Sequence, residues 1–249
     1  MSTHLNDTDH ERGGFFDFLE DNPRYAGKRL SINRLNRRHE FLVRQHLADI
    51  EGARVLDLAS HDGRWSYALS AAGAASVVGI EARADQIEQF ASYPAGRVKD
   101  RVRLVHGDVY DELPKLVDRR EMFDVVAVYG LYYHLMDHYG LLKLIKKLCP
   151  RVVIIDSEFH LSSAPTVRLA VEPTDSHLNS VPHEARQEVA PVGIPSRAAM
   201  ELMAHSLGYD VAWADWEALP RSRRGGLKAY YRTSPAWKRR GTCTLRPGR

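Results

Sequence analysis

The residues best suited to chemistry stand at the ends of apolar runs. Asp57 lies near the end of the run 54–58, Glu81 closes the run 75–80, and Asp108 follows the alternating segment 101–105. Between Asp57 and Glu81 the chain passes through a small-residue turn, Ala59-Ser60-His61-Asp62-Gly63, and then a helix-like segment over 65–72. Apolar run, turn, helix and apolar run make a βαβ unit, with the turn at the carboxyl end of its first strand. In open α/β sheets a nucleotide-like ligand sits there, against the N-terminus of the first helix. The spacing also puts Glu81 at the tip of the second strand, where a carboxylate accepts hydrogen bonds from ribose hydroxyls. A pyrophosphate needs G-x-G-x-x-G, because Cβ atoms keep the backbone away from two phosphates. Ala59 and His61 hold the first two glycine positions and only Gly63 remains. The turn therefore argues against a dinucleotide and suits a nucleoside that carries an amino-acid tail.

Two further stretches deliver reactive side chains. The segment 123–128, FDVVAV, reads as the most buried strand and runs into Tyr129-Gly130-Leu131-Tyr132-Tyr133-His134-Leu135. His134 suits a general base, since an imidazole of ordinary pKa takes up protons near neutral pH; capping the next helix is the plainer alternative. After the strand 151–155, Asp156, Glu158 and His160 alternate and would share one face of a continuing strand. That face could touch substrate, hold a divalent ion or form a polar loop. We expect substrate contacts from Glu158 and His160, and no metal.

Asp57, Gly63 and Glu81 together resemble motif I of the class I (Rossmann-like) S-adenosylmethionine-dependent methyltransferases; Ala59 and His61 depart from it. The resemblance implies an α/β three-layer fold: a mostly parallel seven-stranded sheet with one antiparallel edge strand and helices on both faces. It implies S-adenosyl-L-methionine as cofactor, held by Asp57, Ala59, Ser60, His61, Gly63, Glu81, Ala82, Asp108, Val109 and Tyr129. In that arrangement Glu81 takes the ribose, Asp108 the adenine amino group, and Val109 packs on the ring. Strand four of this superfamily ends beside the sulfonium methyl, which makes Tyr132, Tyr133 and His134 the catalytic candidates. The implied reaction is methyl transfer, and beneath the 161–195 insertion we expect a small polar natural-product or sugar-like acceptor, methylated at a hydroxyl. Leu131-Tyr132-Tyr133-His134 is also similar to the LxYH segment of a subgroup that includes the enzymes completing 5-oxyacetyl wobble uridines in tRNA. A tRNA substrate is thus one alternative, and a non-catalytic cofactor-binding module another.

Composition sets the frame for these sites. With 249 residues, 44% hydrophobic and 27% charged, the chain suits one globular domain with a sizeable core. No apolar run approaches the ~20 residues of a membrane span, and the N-terminus has no signal-like apolar region, so a cytoplasmic protein without membrane contact is expected. Two cysteines, Cys149 and Cys243, give neither a disulfide framework nor a zinc motif. The net charge is only +3, yet ten Lys/Arg and no acid follow Ala218, and seven Lys/Arg with one acid span Arg24 to Arg44. Such blocks can hold phosphate or nucleic acid, but solvated faces are the commoner outcome. No feature speaks to oligomeric state.

The remaining chain supplies supports. A polar tail covers 1–14, and the cluster 15–19 docks on the domain. A helix is expected over 31–50 with Ser31 as its cap, and Tyr25, Lys28 and Arg29 before it are candidates to cover the cofactor or grip its carboxylate. The stretch 161–195 lacks periodicity and carries five prolines together with His177 and His183. It is expected to be an insertion covering the substrate. Ser196 caps a helix over 197–207; 209–215 reads as strand six and 242–246 as a reversed strand seven.

Overall fold

The computed structural model describes residues 13–233 and 236–248, so most of the expected polar tail at 1–14 lies outside the described residues. In chain order the elements are α1 (Arg29–Leu42), α2 (Leu47–Ile50), β1 (Arg54–Leu58), α3 (Arg64–Ala71), β2 (Ser76–Glu81), α4 (Ala84–Glu88), α5 (Arg97–Asp100), β3 (Val102–His106) and α6 (Val109–Asp118). There follow β4 (Val125–Tyr129), α7 (His138–Lys147), β5 (Val152–His160), β6 (Val167–Pro173), β7 (Val189–Pro195), α8 (Arg197–Ser206), β8 (Tyr209–Trp213) and β9 (Lys238–Pro247).

Strands β1, β2, β4 and β5 are almost wholly buried, and the sequence shows why: unbroken apolar runs suit central parallel strands covered on both faces. The main sheet has the order β3-β2-β1-β4-β5-β9-β8. Alternate side chains of one strand feed different cores. Leu56 and Leu58 pack with Leu113 and Leu141 on one face, whereas Val55 packs with Trp65 and Leu69 on the other. The resulting α/β three-layer sandwich, mostly parallel with one reversed strand, is the expected fold. The reversed strand β9 lies one place in from the edge: Cys243 pairs with Ile155 of β5 on one side and with Trp213 of β8 on the other. A long strand placed there satisfies two ladders at once, which leaves short β8 outermost.

The single helix expected over 31–50 is broken. Phe41, Leu42 and Val43 are all buried, and three consecutive side chains cover about 200° of a helix, more than one face can bury. The chain leaves helical geometry at Val43, and Phe41 instead stacks on Trp216 with centroids 3.9 Å apart. The segment 161–195 is also more regular than its sequence suggests. Its β6 and β7 pair as a two-stranded ribbon with Ala190, Val192 and Ile194 buried and Val189 and Pro191 exposed. A two-stranded ribbon has free edges, where a proline's missing N–H costs little.

The cluster at 15–19 docks as expected. Phe15 stacks on His39 of α1 at 4.7 Å, and Phe16 meets the same ring edge-on at 5.8 Å. Burial, then Arg44, pushes the His39 pKa down to about 4. The sign follows directly: below about pH 6.5 the unfolded chain binds this proton and the folded chain does not, so stability is lost as pH falls from that value toward 4. We expect His39→Phe to keep the stack and to lose less melting temperature than the parent between pH 7 and pH 5, measured by thermal denaturation. Equal losses in both proteins would show that His39 is solvated and titrates freely.

Candidate functional site

The turn after β1 is built on left-handed backbone. Ala59, His61 and Gly63 have φ of 57°, 55° and 76°. Only Gly63 accommodates this freely, and a Cβ there would also lie 2.5 Å from the Phe90 ring. The two non-glycine residues each carry a conformational cost of about 1–2 kcal/mol. Hydrogen bonds hold them in place: the His61 N–H donates to Glu81 Oε2 at 2.8 Å, and the next residue, Asp62, is a fully buried anchor. Asp62 accepts from Tyr25 Oη at 2.7 Å and from Arg64 Nε at 2.6 Å, with Arg24 Nε at 3.7 Å. Burial alone would raise its pKa, but Arg64 and His61 hold it far below the usual carboxylate range. His61 is itself pushed down to about 4 by burial, against the pull of Asp62.

This turn opens on a cavity of about 540 Å³ at the carboxyl edge of the sheet. Ala59 and His61 line it, but Asp57, Ser60 and Gly63 do not. Asp57 is buried behind the turn, accepts from Ser66 Oγ at 2.7 Å, and is pushed up to about 7 by burial. Ser60 is buried beneath Gly79, where a Cβ would approach it to 2.8 Å. Asp57 at the end of β1, Ser60 beneath the turn and Gly63 at the start of α3 support the turn from below. Tyr25 serves Asp62, while Lys28 and Arg29 are exposed and Arg29 pairs with Glu20. The residues of α1 that reach the cavity lie further along it, at Arg34 and Arg38.

At the tip of β2, Glu81 accepts from the backbone N–H of His61 and, at 3.0 Å, of Arg83, and keeps further lone pairs toward the cavity. Burial raises its pKa. Ala82 follows it on the wall. Asp108, beyond β3, caps α6 by accepting from Tyr110 N at 2.8 Å with one oxygen; the other is uncommitted, and Val109 is the next lining residue. Two carboxylates with spare acceptor capacity and an apolar wall between them form a donor set that fits an adenosine.

The tip of β4 forms the opposite end. Tyr129 lines the cavity with its ring and donates its hydroxyl to the Leu42 carbonyl at 2.7 Å. Tyr133 and His134 also line it, their rings 4.0 Å apart. His134 Nδ1 lies 2.5 Å from Oε2 of Glu172 on β6, and Ser180 Oγ donates to the His134 carbonyl at 3.0 Å. A carboxylate only accepts, so Nδ1 carries the proton and Nε2 the lone pair. Burial raises the Glu172 pKa, but the hydrogen bonds from His134 and from the Ser180 N–H outweigh it and leave the pKa lowered. Tyr132 is a correction: it is fully buried, packs edge-on to His138 at 4.7 Å and belongs to the core. The short helical turn it occupies aims neighbours to opposite sides.

The expected common face of β5 also divides. Asp156 is completely buried and accepts from Arg38 Nη2 at 2.8 Å, Arg240 Nε at 2.5 Å, Tyr230 Oη at 2.6 Å and Thr242 Oγ1 at 2.8 Å. Glu158 lines the cavity and pairs with Arg232 at 3.2 Å and with Lys238. His160, a second correction, lies beyond the cavity wall against Trp237, because two more residues of strand carry it past the opening.

Sequence reasoning missed Arg34, Arg38, Arg240 and Glu172. The first two are a helical i, i+4 pair, and Leu227 and Tyr230, buried within the basic C-terminal block, were the signal that this block folds inward. Glu172 had no local signal at all. The tip of the ribbon, including His177 and His183, lines the cavity too.

Residues 55–152 match the family "Methyltransferase domain". A demethylmenaquinone methyltransferase of Clavibacter sepedonicus is 35% identical over 123 residues, which is 49% of this chain and 47% of that protein. The chain thus spans about half the length of the curated relative it matches. Among solved structures, the N-terminal domain of EvdMO1 with SAH bound is similar at a TM-score of 0.60 and 18% identity, covering 83% of this chain and 79% of that one. The DhpI–SAM–HEP complex is similar at 0.53 and 17%, covering 92% and 90%.

Removing the Asp156 carboxylate leaves two guanidiniums, 12% and 13% exposed, without their counter-charge. We expect Asp156→Ala to cost about 3–5 kcal/mol in urea unfolding. A loss below about 1 kcal/mol would show that solvent, not Asp156, compensates Arg38 and Arg240.

Proposed function

On the premise that residues 55–152 form a class I (Rossmann-like) S-adenosylmethionine-dependent methyltransferase domain, we propose that this protein is an enzyme that methylates a hydroxyl of a small polar acceptor. The observation that carries the reading is the His134–Glu172 pair at the tip of β4, facing a cavity whose other end suits an adenosine. When bound, S-adenosylmethionine supplies an electrophilic methyl group on a sulfonium sulfur. Glu81 would hold the ribose hydroxyls and Asp108 the adenine amino group. Val109 and Leu131 would flank the ring, and Ala59 and His61 would back the amino-acid tail.

The chain's own residues supply position and a proton acceptor. His134 Nε2 takes the proton of the acceptor hydroxyl as the oxygen becomes a nucleophile. Glu172 keeps Nδ1 protonated and steadies the charge that forms on the ring. Tyr129, Tyr133 and the ribbon tip exclude water and align the reacting oxygen. A small acceptor is favoured over tRNA because Arg38, Lys228, Arg232 and Arg240 of the two basic blocks turn into the cavity.

Two measurements test this. Calorimetric titration with S-adenosylhomocysteine should show binding that Glu81→Gln weakens roughly tenfold or more. In an acceptor screen, His134→Gln should lower kcat by about 10²–10⁴ with little change in that affinity. Glu172→Gln should shift the acid limb of the kcat/KM profile while leaving the fold intact. A His134→Gln enzyme of full activity would remove the base from the mechanism, and an unmoved profile in Glu172→Gln would reduce Glu172 to a structural contact.

A further inference from the structure

The acceptor end of the cavity carries far more positive than negative charge. Arg34, Arg38, Lys228, Arg232 and Arg240 line it and Lys238 stands over Tyr133, against Asp156, Glu158 and the His134-bound Glu172 among the described residues. Lys238 and Arg240 lie 5.6 Å and 5.8 Å from the Tyr133 ring centre. Asp156 compensates one of its two guanidiniums, and Glu158 one of its two cations. Arg34 and Lys228 form no ion pair with any described residue. Arg34 instead has Arg38, Arg240 and Arg64 as its charged neighbours, and partial desolvation followed by these three lowers its pKa. Cations are gathered this way at a cost, which a bound anion would relieve.

The proposed cofactor does not supply that anion, because its sulfonium and ammonium charges outweigh its single carboxylate. A nucleic acid does not fit the geometry either. The cations face into a cavity of about 540 Å³ that must also hold an adenosine, whereas a polyanion needs an open stripe. We propose that the acceptor is a small molecule carrying a carboxylate or phosphoryl-type oxyanion as well as the hydroxyl that is methylated. This rests on the methyltransferase reading above. Arg34, Lys228 and Arg240 take the oxyanion as its anchor, with Arg232 beside them. The oxyanion is not the methylated group, since guanidiniums draw off the electron density that a nucleophile needs. The hydroxyl is placed instead at His134 Nε2. It loses its proton there, its oxygen forms the new bond to the methyl carbon, and the methyl–sulfur bond breaks with its electron pair left on sulfur.

The test uses the full chain and separates this inference from the reading beneath it. S-Adenosylhomocysteine is titrated first; then, with it saturating, inorganic phosphate and malonate are titrated against sodium chloride of matched ionic strength. Both oxyanions should bind and raise the melting temperature beyond chloride. The exposed double variant Arg34→Gln/Lys228→Gln should weaken them roughly tenfold or more while S-adenosylhomocysteine binds as before. Matched acceptor trials with glucose 6-phosphate, gluconate and glucose should show KM lower for the two anions. Oxyanions no better than chloride, or equal binding in the double variant, overturn the inference while cofactor binding stands. Failure of S-adenosylhomocysteine with retained phosphate binding sinks the methyltransferase reading and leaves the anion site. Tighter binding of bulk tRNA than of either small anion, with an affinity falling steeply in salt, would replace the small acceptor by RNA.

Discussion

A single buried carboxylate, Asp156, gathers charged side chains from the two basic blocks of the chain. Four side chains converge on it from α1, near one end of the chain, and from the turn at Lys228–Tyr230 and β9, near the other. Taking a carboxylate and two guanidiniums out of water is expensive, and the penalty is recovered only when hydrogen bonds complete the pairing. Here they do: Tyr230 and Thr242 fill the remaining acceptor positions of the carboxylate. Arg38 also lies 5.1 Å over the Trp65 ring, which sets α1 against the first helix of the βαβ unit. The ladder between β5 and β9 and the apolar cluster of Leu227, Tyr230, Trp216 and Phe41 hold the C-terminal block in place, and Asp156 fixes where its charged groups converge.

The other end solves a different problem. A turn that usually relies on glycine keeps its left-handed path here with alanine and histidine in two of three places. The strain is offset locally, by the His61 N–H on Glu81 and by the buried Asp62 network. One consequence is that the tip of β1 is tied to the tip of β2 through a carboxylate that the proposed function also needs. Strain, cofactor fit and β-strand spacing are therefore one constraint.

The βαβ unit and the carboxylates at the strand tips were legible in the sequence because each rests on local pattern: an apolar run, a small-residue turn, a fixed spacing. Glu81, Asp108 and His134 sit where that pattern put them. Tyr132 was not legible, since which of two adjacent tyrosines faces a cavity depends on a short helical turn that sequence does not encode strongly. His160 failed for the converse reason: alternation places it on the right face but says nothing of how far the opening extends. The basic block at 221–240 needed tertiary information, because Lys and Arg read as solvent-facing until a partner such as Asp156 is known. The β6–β7 ribbon was hidden by its prolines.

That ribbon bridges the two ends. Its tip carbonyls at Thr174, Ser176, Asn179 and Ser180 surround one nitrogen of Arg83, just past the β2 carboxylate, while Glu172 and Ser180 hold His134. On the proposed chemistry, the partner of the base belongs to the ribbon and not to the sheet that carries the base itself. The element that covers the cavity is thus also the one that orients His134, so closure of the site and placement of its imidazole depend on the same few contacts.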